Sequence, residues 1–228
     1  AEECCQPQEV DDSASCSCCD ASRQNAASPE VAHRLLMELL APTDGMRVLD
    51  VGSGSGETVL LIAEKVAPTG KAVGVDFLEE AVSLAQGKAK EAGLSSVTEF
   101  RVGDAENLPF EDGAFDAVIS ECVVCLVPDK QRALDEKVRV LKHGGRVIMH
   151  DVISRAKMPE AIRSDPSLYC QCIGGAVTIE EYRAMMEKAG LAEIRVVDCT
   201  EEVKAEGNGV ILSAATKLKD DEEFRQVV

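Results

Sequence analysis

Short apolar runs alternate with longer amphipathic segments through most of this chain. The short runs predict strands, and the longer segments, whose apolar residues recur every three or four positions, predict helices. We expect strands near residues 46–51, 72–76, 97–102, 116–121 and 145–151, and helices near residues 57–67, 78–92, 130–141 and 178–190. Strands and helices in this alternation predict an α/β domain with a parallel sheet and right-handed crossovers.

Capping residues mark the ends of this pattern. Ser28 and Pro29 suit the N-cap and the first position of a helix that precedes the first strand. Thr178 and Glu181 have the spacing of a capping box, and Gly190 stands where the helix that they begin should end.

Length and composition favour one domain. The chain has 228 residues, enough for one large α/β domain, which we expect over residues 28–219. Residues 1–27 are rich in cysteine, contain almost no large apolar side chain and predict a flexible tail, and residues 220–228 predict an acidic tail. Within the domain, apolar runs near residues 193–199 and 209–217 flank a glycine-rich turn and predict a C-terminal antiparallel hairpin.

The charge balance excludes some partners. The formal net charge is −17, whereas phosphate backbones are bound by clustered Lys and Arg, so we expect no nucleic-acid partner. The sequence has no apolar run near the roughly 20 residues of a membrane span and no signal-peptide pattern, so we expect no membrane partner. We therefore expect a cytoplasmic monomer that acts on a small molecule.

The first predicted strand runs directly into Gly52–Gly56, a loop with glycine at every second position. Glycine has no Cβ, so this loop can turn tightly and bring backbone N–H groups against a ligand. The spacing differs from the G-x-G-x-x-G of dinucleotide sites, which counts against NAD. Asp50 precedes the loop and Asp76 ends the next strand. We therefore expect another cofactor at the carboxyl edge of the sheet.

These features resemble the S-adenosylmethionine site of the Rossmann-like methyltransferases. The resemblance implies a seven-stranded, doubly wound mixed sheet of the class I methyltransferase type. It implies that Asp76 binds the ribose hydroxyls and that Phe77 lies along the adenine, whose polar edge Asp104 and Ala105 would bind. The predicted cofactor-binding residues are Asp50, Gly52, Ser53, Gly54, Gly56, Asp76, Phe77, Asp104, Ala105, Glu106 and Glu121.

The ten cysteines indicate the acceptor. Residues Glu121–Lys130 and Tyr169–Ala176 resemble two cysteine-containing segments of the arsenite methyltransferases. Trivalent arsenic is a soft centre, and soft centres select thiolate ligands. The resemblance implies that Cys172 binds arsenic. Cys170 is a candidate second ligand, and Cys122 is a further catalytic candidate.

Other positions depart from that family. Cys125 takes the place of a usual asparagine, and Gly209 takes the place of a ligand cysteine before the final strand. A family cysteine between the N-terminal helix and the first strand is also missing. Considered singly, Cys122, Cys125 and Cys199 are better interpreted as small buried hydrophobes. The remaining thiols take over the missing roles, or the substrate differs.

Thiolates that replace the hydroxides of arsenite would leave the arsenic lone pair facing the methyl donor, so that no general base is required. Each methylation oxidises arsenic, and we expect a thiol reductant, thioredoxin or glutathione, to return the electrons by disulfide exchange. The tail cysteines Cys4, Cys5, Cys18 and Cys19 are candidates to capture arsenite or to reduce a catalytic disulfide. A zinc- or copper-binding tail, or simply exposed thiols, is an equal alternative.

Three functions remain open. The leading hypothesis is S-adenosylmethionine-dependent methylation of arsenite. A methyltransferase of an organic small molecule, such as a quinone or a sterol, would keep its turnover after Cys172→Ser. A noncatalytic thiol protein that binds a soft metal ion through its tail would lose metal uptake on deletion of residues 1–27.

Overall fold

The computed structural model describes residues 29–198, 211–213 and 217–218. The tails predicted over residues 1–27 and 220–228 lie outside the described residues, as does the turn of the predicted hairpin. None of the described helices is long and apolar enough to cross a membrane.

The strands form a mixed sheet that is mostly parallel. In the described ranges they are β1 (Arg47–Val51), β2 (Lys71–Asp76), β3 (Thr98–Val102), β4 (Phe115–Glu121), β5 (Leu141–Ser154), β6 (Val177–Thr178), β7 (Leu191–Ala192), β8 (Val197–Asp198), β9 (Ile211–Ser213) and β10 (Lys217–Leu218).

The order of the sheet is β3-β2-β1-β4-β5-β9-β8, with β6 added beside β5, while β7 and β10 pair separately. Neighbours among β1 to β5 pair in parallel, whereas β9 is antiparallel to both β5 and β8. The strand order reverses at β1 and β4, which is where open α/β sheets bind their ligands.

The helices connect these strands. In the described part they are α1 (Pro29–Leu40), α2 (Glu57–Val66), α3 (Glu79–Glu91), α4 (Lys130–Arg139), α5 (Glu160–Arg163), α6 (Pro166–Cys170) and α7 (Ile179–Lys188). Thr178 and Glu181 form the predicted capping box at the start of α7. Gly190 follows that helix with a φ of 99°, the left-handed conformation typical of a helix end.

Two apolar clusters cover the two faces of the sheet. Because successive side chains of a strand point to opposite faces, Leu49 and Val51 belong to one cluster and Val48 to the other. Leu134 of α4 packs in the first cluster, and Leu40 of α1 packs in the second. Helices on both faces therefore sandwich the sheet and leave its carboxyl edge open for a site.

The predicted fold class is confirmed, including the mixed sheet and the antiparallel C-terminal strands. The fifth strand is longer than predicted, because a register shift after Phe115 lets Leu141 pair with that residue before the regular pairing begins. The helices α5 and α6 were not predicted, since four or five residues are too few to show a helical period.

Candidate functional site

The glycine loop, Gly52–Gly56, leaves β1 and leads into α2. Its three glycines have φ values of 78°, 51° and 85°, in the left-handed region that favours glycine. The first two N–H groups of the loop donate to the Val75 carbonyl at 2.8 and 3.0 Å. The N–H of Gly54 donates to an Asp76 carboxylate oxygen at 2.8 Å. The loop is therefore fixed against the carboxyl end of β2.

Asp50 and Glu121 form a pair of carboxylates at the ends of β1 and β4. Burial, and then the charges of Glu121 and Asp76, raise the pKa of Asp50 well above its ordinary value. Glu121 accepts a hydrogen bond from Thr58 Oγ1 at 2.9 Å and lies 3.4 Å from His150 Nδ1. Burial raises the pKa of Glu121, but the contact with His150 outweighs burial and lowers it. A cation bound here would relieve the repulsion between the two carboxylates.

The segments after β2 and β3 provide an exposed ring and a polar turn. The Phe77 side chain is 64% exposed, so its ring is free to be covered by a flat ligand group. The Glu106 N–H donates to Asp104 Oδ1 at 2.9 Å, with the partly buried Ala105 between these residues. The Glu106 carboxylate accepts a hydrogen bond from the Asp129 N–H at 2.8 Å, which joins this turn to the start of α4.

Three free thiols, those of Cys122, Cys125 and Cys172, form a thiol cluster beyond β4. They are the free cysteines among the described residues. The Cys172 Sγ lies 4.0 Å from the Cys122 carbonyl oxygen, and interactions with both other thiols shift the pKa of Cys172. Cys122 and Cys172 have φ values of 52° and 65°. Such strain in residues with a Cβ concentrates at functional sites.

Asp151 and Lys130 fix the turn that carries Cys125. The Asp151 carboxylate accepts hydrogen bonds from the N–H groups of Val124, at 3.1 Å, and Cys125, at 3.4 Å. Lys130 Nζ donates to the carbonyls of the same two residues, at 3.0 and 3.2 Å. The Tyr182 hydroxyl donates to Asp151 at 3.1 Å and so ties the turn to α7.

Gly175 lets the segment that carries Cys172 approach this turn. A Cβ at position 175 would lie 1.7 Å from the Cys125 carbonyl oxygen. Any residue larger than glycine would therefore require the backbone to move. The Tyr169 hydroxyl also donates to the Val127 carbonyl at 3.1 Å. These two contacts bring together thiols that are 50 positions apart in sequence.

Burial keeps the thiol cluster protonated. Contact with Cys172, burial and the charge of Asp151 raise the pKa of Cys122. Contact with Cys172 lowers the pKa of Cys125, but burial and Asp151 outweigh it and raise that pKa to about 12. Contact with Cys122 lowers the pKa of Cys172, but contact with Cys125 and burial outweigh it and raise that pKa. The cluster therefore presents neutral thiols at neutral pH.

The thiol cluster adjoins the glycine loop. A Cβ at Gly52 would lie 2.3 Å from Val123 Cγ2, and Val123 directly follows Cys122. Glu121, whose charge acts on Asp50, directly precedes Cys122. A ligand on the loop and a ligand on the thiols would therefore be neighbours.

The structure brings most of the predicted site residues to one edge of the sheet. Cys172 and Cys122 meet, and the predicted cofactor residues follow the carboxyl ends of β1 to β4. Cys170 is disulfide-bonded, so arsenic binding by its sulfur would first require reduction. The tail cysteines Cys4, Cys5, Cys18 and Cys19 lie outside the described residues.

The anchoring roles of Asp151, Lys130 and Tyr182 were not predicted from the sequence. Cys125 was interpreted as a small buried hydrophobe, although its C-x-x-C spacing from Cys122 was a signal that both thiols could face one site. The contacts that reveal these roles join residues far apart in the chain, and no local pattern encodes them.

Residues 42–190 match the family model described as a methyltransferase domain. The match covers more than half of the chain, so the chain belongs to the family of methyltransferase domains.

The similar curated proteins have more specific names than the family model. The chain is 39% identical over 156 residues to an arsenite methyltransferase of Halobacterium salinarum, a match that covers 68% of this chain and 40% of that protein. It is 35% identical over 199 residues to an arsenite methyltransferase of Aquipseudomonas alcaligenes, covering 79% and 57% of the two chains. The chain thus spans about half the length of the curated relatives it matches.

A solved structure agrees with these matches. An arsenic (III) S-adenosylmethionine methyltransferase from Chlamydomonas reinhardtii superposes with a TM-score of 0.63 at 30% identity. The superposition covers 78% of this chain and 65% of that chain.

Proposed function

We propose that this chain is the catalytic part of an S-adenosylmethionine-dependent arsenite methyltransferase. The observation that carries the proposal is the approach of the Cys172 Sγ to within 4.0 Å of the Cys122 carbonyl oxygen, directly beside the glycine loop. The names of the similar proteins support the same assignment.

The residues at the carboxyl edge fit S-adenosylmethionine. The loop Gly52–Gly56 offers a surface free of Cβ atoms, and the exposed Phe77 ring suits an adenine. The carboxylates of Asp50 and Glu121 suit a positively charged methionine portion, and Asp76 would bind the ribose hydroxyls. When bound, this cofactor supplies an electrophilic methyl group on a positively charged sulfur.

Neutral thiols suit arsenite, which is itself a neutral hydroxide. When Cys122 and Cys172 bind it, two As–O bonds break and two As–S bonds form. The two thiol protons leave with the two hydroxides as water. No net charge is buried, which matters because an unpaired charge in a low-dielectric site is costly. The arsenic keeps its lone pair, so no side chain has to remove a proton before methyl transfer.

The first prediction is that Cys172→Ser abolishes arsenite methylation while cofactor binding persists. The full chain would be incubated with arsenite, a thiol reductant and cofactor labelled in its methyl group, and methylated arsenic would be separated by chromatography. We expect a loss of at least about a hundredfold, since a hydroxyl cannot replace a soft sulfur ligand. Calorimetric titration with the cofactor is the control for folding.

Two outcomes would overturn the proposal. If the wild-type protein forms no methylated arsenic, the arsenite assignment fails. If Cys172→Ser retains full turnover of a quinone or another organic acceptor, the chain is a methyltransferase of that acceptor class.

We further propose that thioredoxin or glutathione restores the thiols, and that the protein is a cytoplasmic monomer. Arsenic binding requires the thiols of Cys122 and Cys172 to stay reduced, and the disulfide of Cys170 is a bond that such a reductant would open. Turnover assays with each reductant alone, fractionation of cells and light scattering of the purified chain test these three statements.

A further inference from the structure

A third free thiol, that of Cys125, belongs to the same cluster. Cys125 is 2% exposed, its N–H donates to the Asp151 carboxylate at 3.4 Å, and interactions with Asp151 and with the Cys172 thiol shift its pKa. These polar contacts distinguish it from a cysteine that only fills an apolar core.

The fold fixes Cys125 from several directions. Asp151 holds its N–H, Lys130 holds its carbonyl, and Gly175 packs against the same carbonyl. The segment that carries Cys172 approaches both other cysteines, because the Cys172 Sγ lies 4.0 Å from the Cys122 carbonyl oxygen and Gly175 packs against the Cys125 carbonyl. A group bound to Cys122 and Cys172 is therefore within reach of a third sulfur after a side-chain rotation.

We propose that Cys125 is a third sulfur ligand for inorganic arsenite, so that arsenic is held by Cys122, Cys125 and Cys172 together. This inference rests on the proposed function. Binding breaks three As–O bonds and forms three As–S bonds, and the three thiol protons leave with three hydroxides as water. Neither arsenic nor sulfur changes its oxidation state.

The charge balance favours arsenite over a metal cation at this cluster. A cation such as Zn²⁺ requires thiolates, and thiolates beside the buried Asp151 would repel its charge. Arsenite leaves the site neutral with all three thiols bound. Among the described residues, no group of three or more His, Cys, Asp or Glu is arranged to hold a metal ion.

A third ligand would make the site selective between substrate and product. Arsenite has three hydroxyl groups that sulfur can replace, whereas methylarsonous acid has two. Cys125 therefore strengthens binding of arsenite and adds nothing to binding of the methylated product.

The test measures affinity and coordination on the reduced full chain without cofactor. Cys125→Ser should raise the Kd for arsenite by about tenfold or more, and should leave the Kd for methylarsonous acid within about twofold. X-ray absorption at the arsenic edge should count three sulfurs in the wild type and two in Cys125→Ser. Leu126→Ala, which alters a partly exposed side chain next to Cys125 in the same turn, is the control and should keep three.

Each alternative outcome is distinct. Two sulfurs in the wild type, with arsenite affinity lost in Cys122→Ser but not in Cys125→Ser, would overturn the third ligand and leave the proposed function intact. Loss of a sulfur in Cys170→Ser instead would move the role to Cys170. Failure of the wild type to bind arsenite would overturn the proposed function itself.

A measurement on the wild type covers the case in which Cys125→Ser does not fold. In native mass spectrometry, an adduct with three As–S bonds weighs one water molecule less than an adduct with two As–S bonds and one retained hydroxyl. The lighter adduct is expected, and the heavier adduct alone contradicts the inference.

Discussion

Single residues decide whether the thiols meet. Cys122 and Cys172 both adopt left-handed backbone conformations, which cost of the order of 1–3 kcal/mol each. Surrounding contacts must hold them there. One such contact depends on Gly175, which lacks a Cβ and can therefore pack directly against the Cys125 carbonyl.

Gly175→Ala should therefore disrupt arsenic binding. The added Cβ would overlap the Cys125 carbonyl oxygen, so the segment carrying Cys172 must shift. We expect a loss of stability of about 1–3 kcal/mol and a fall in arsenite affinity of at least about tenfold. Denaturant unfolding and arsenite titration measure both effects. Gly87→Ala on α3, where a Cβ meets nothing within 4 Å, is the control. Unchanged arsenite binding in Gly175→Ala would contradict the geometry.

Among the elements, the turn between β4 and α4 is held by several hydrogen bonds between its backbone and the side chains of Lys130 and Asp151. Lys130 Nζ donates to the carbonyls of Val124, Cys125 and Val127, all within 3.2 Å. Asp129 caps α4 by accepting a hydrogen bond from the Arg132 N–H at 3.0 Å. Asp129 thus begins α4, and the adjacent Lys130 closes the turn that precedes this helix.

Lys130→Met should loosen this turn. Three carbonyls would lose a charged donor, at a cost of about 1–3 kcal/mol. We expect a lower melting temperature and a higher Kd for arsenite, while the Kd for S-adenosylmethionine changes little, because Lys130 does not contact the glycine loop. Lys90→Met on the exposed side of α3 should change none of the three. An equal loss of both affinities would indicate general unfolding.

On the scale of the whole molecule, the sheet topology places the glycine loop beside the thiol cluster. Strands β1 and β4 are neighbours, so the glycine loop after β1 and the thiol turn after β4 touch at Gly52 and Val123. The paired carboxylates Asp50 and Glu121 lie at the same junction.

Gly52→Ala should damage both sites together. Its Cβ would overlap Val123 Cγ2, and its φ of 78° is unfavourable for alanine. We expect weaker binding of both S-adenosylmethionine and arsenite, measured by calorimetry. The double variant Gly52→Ala/Val123→Ala removes the clash and should recover part of the arsenite affinity. A double variant no better than the single one would attribute the loss to backbone strain alone.

The sequence predicted the parts of this molecule that local patterns encode. The strand and helix periods, the capping box at Thr178 and the glycine loop all depend on residues within one element or turn. Cys172 and Cys122 were identified by their segments, but the part of Cys125 was not, because its place beside Cys172 depends on Gly175 meeting a turn far away in the chain. The anchoring by Asp151 likewise requires β5 to lie beside β4.

Asp151 also joins the thiol turn to the last described helix. Its buried carboxylate accepts hydrogen bonds from the N–H groups of Val124 and Cys125 and from the Tyr182 hydroxyl on α7. If α7 separates from the sheet, Asp151 loses the hydrogen bond from Tyr182. The same carboxylate holds the two amides, so their protection from solvent should weaken at the same time. Their hydrogen exchange should be governed by the same local opening that exposes α7, which would make this turn and that helix one cooperative unit of unfolding.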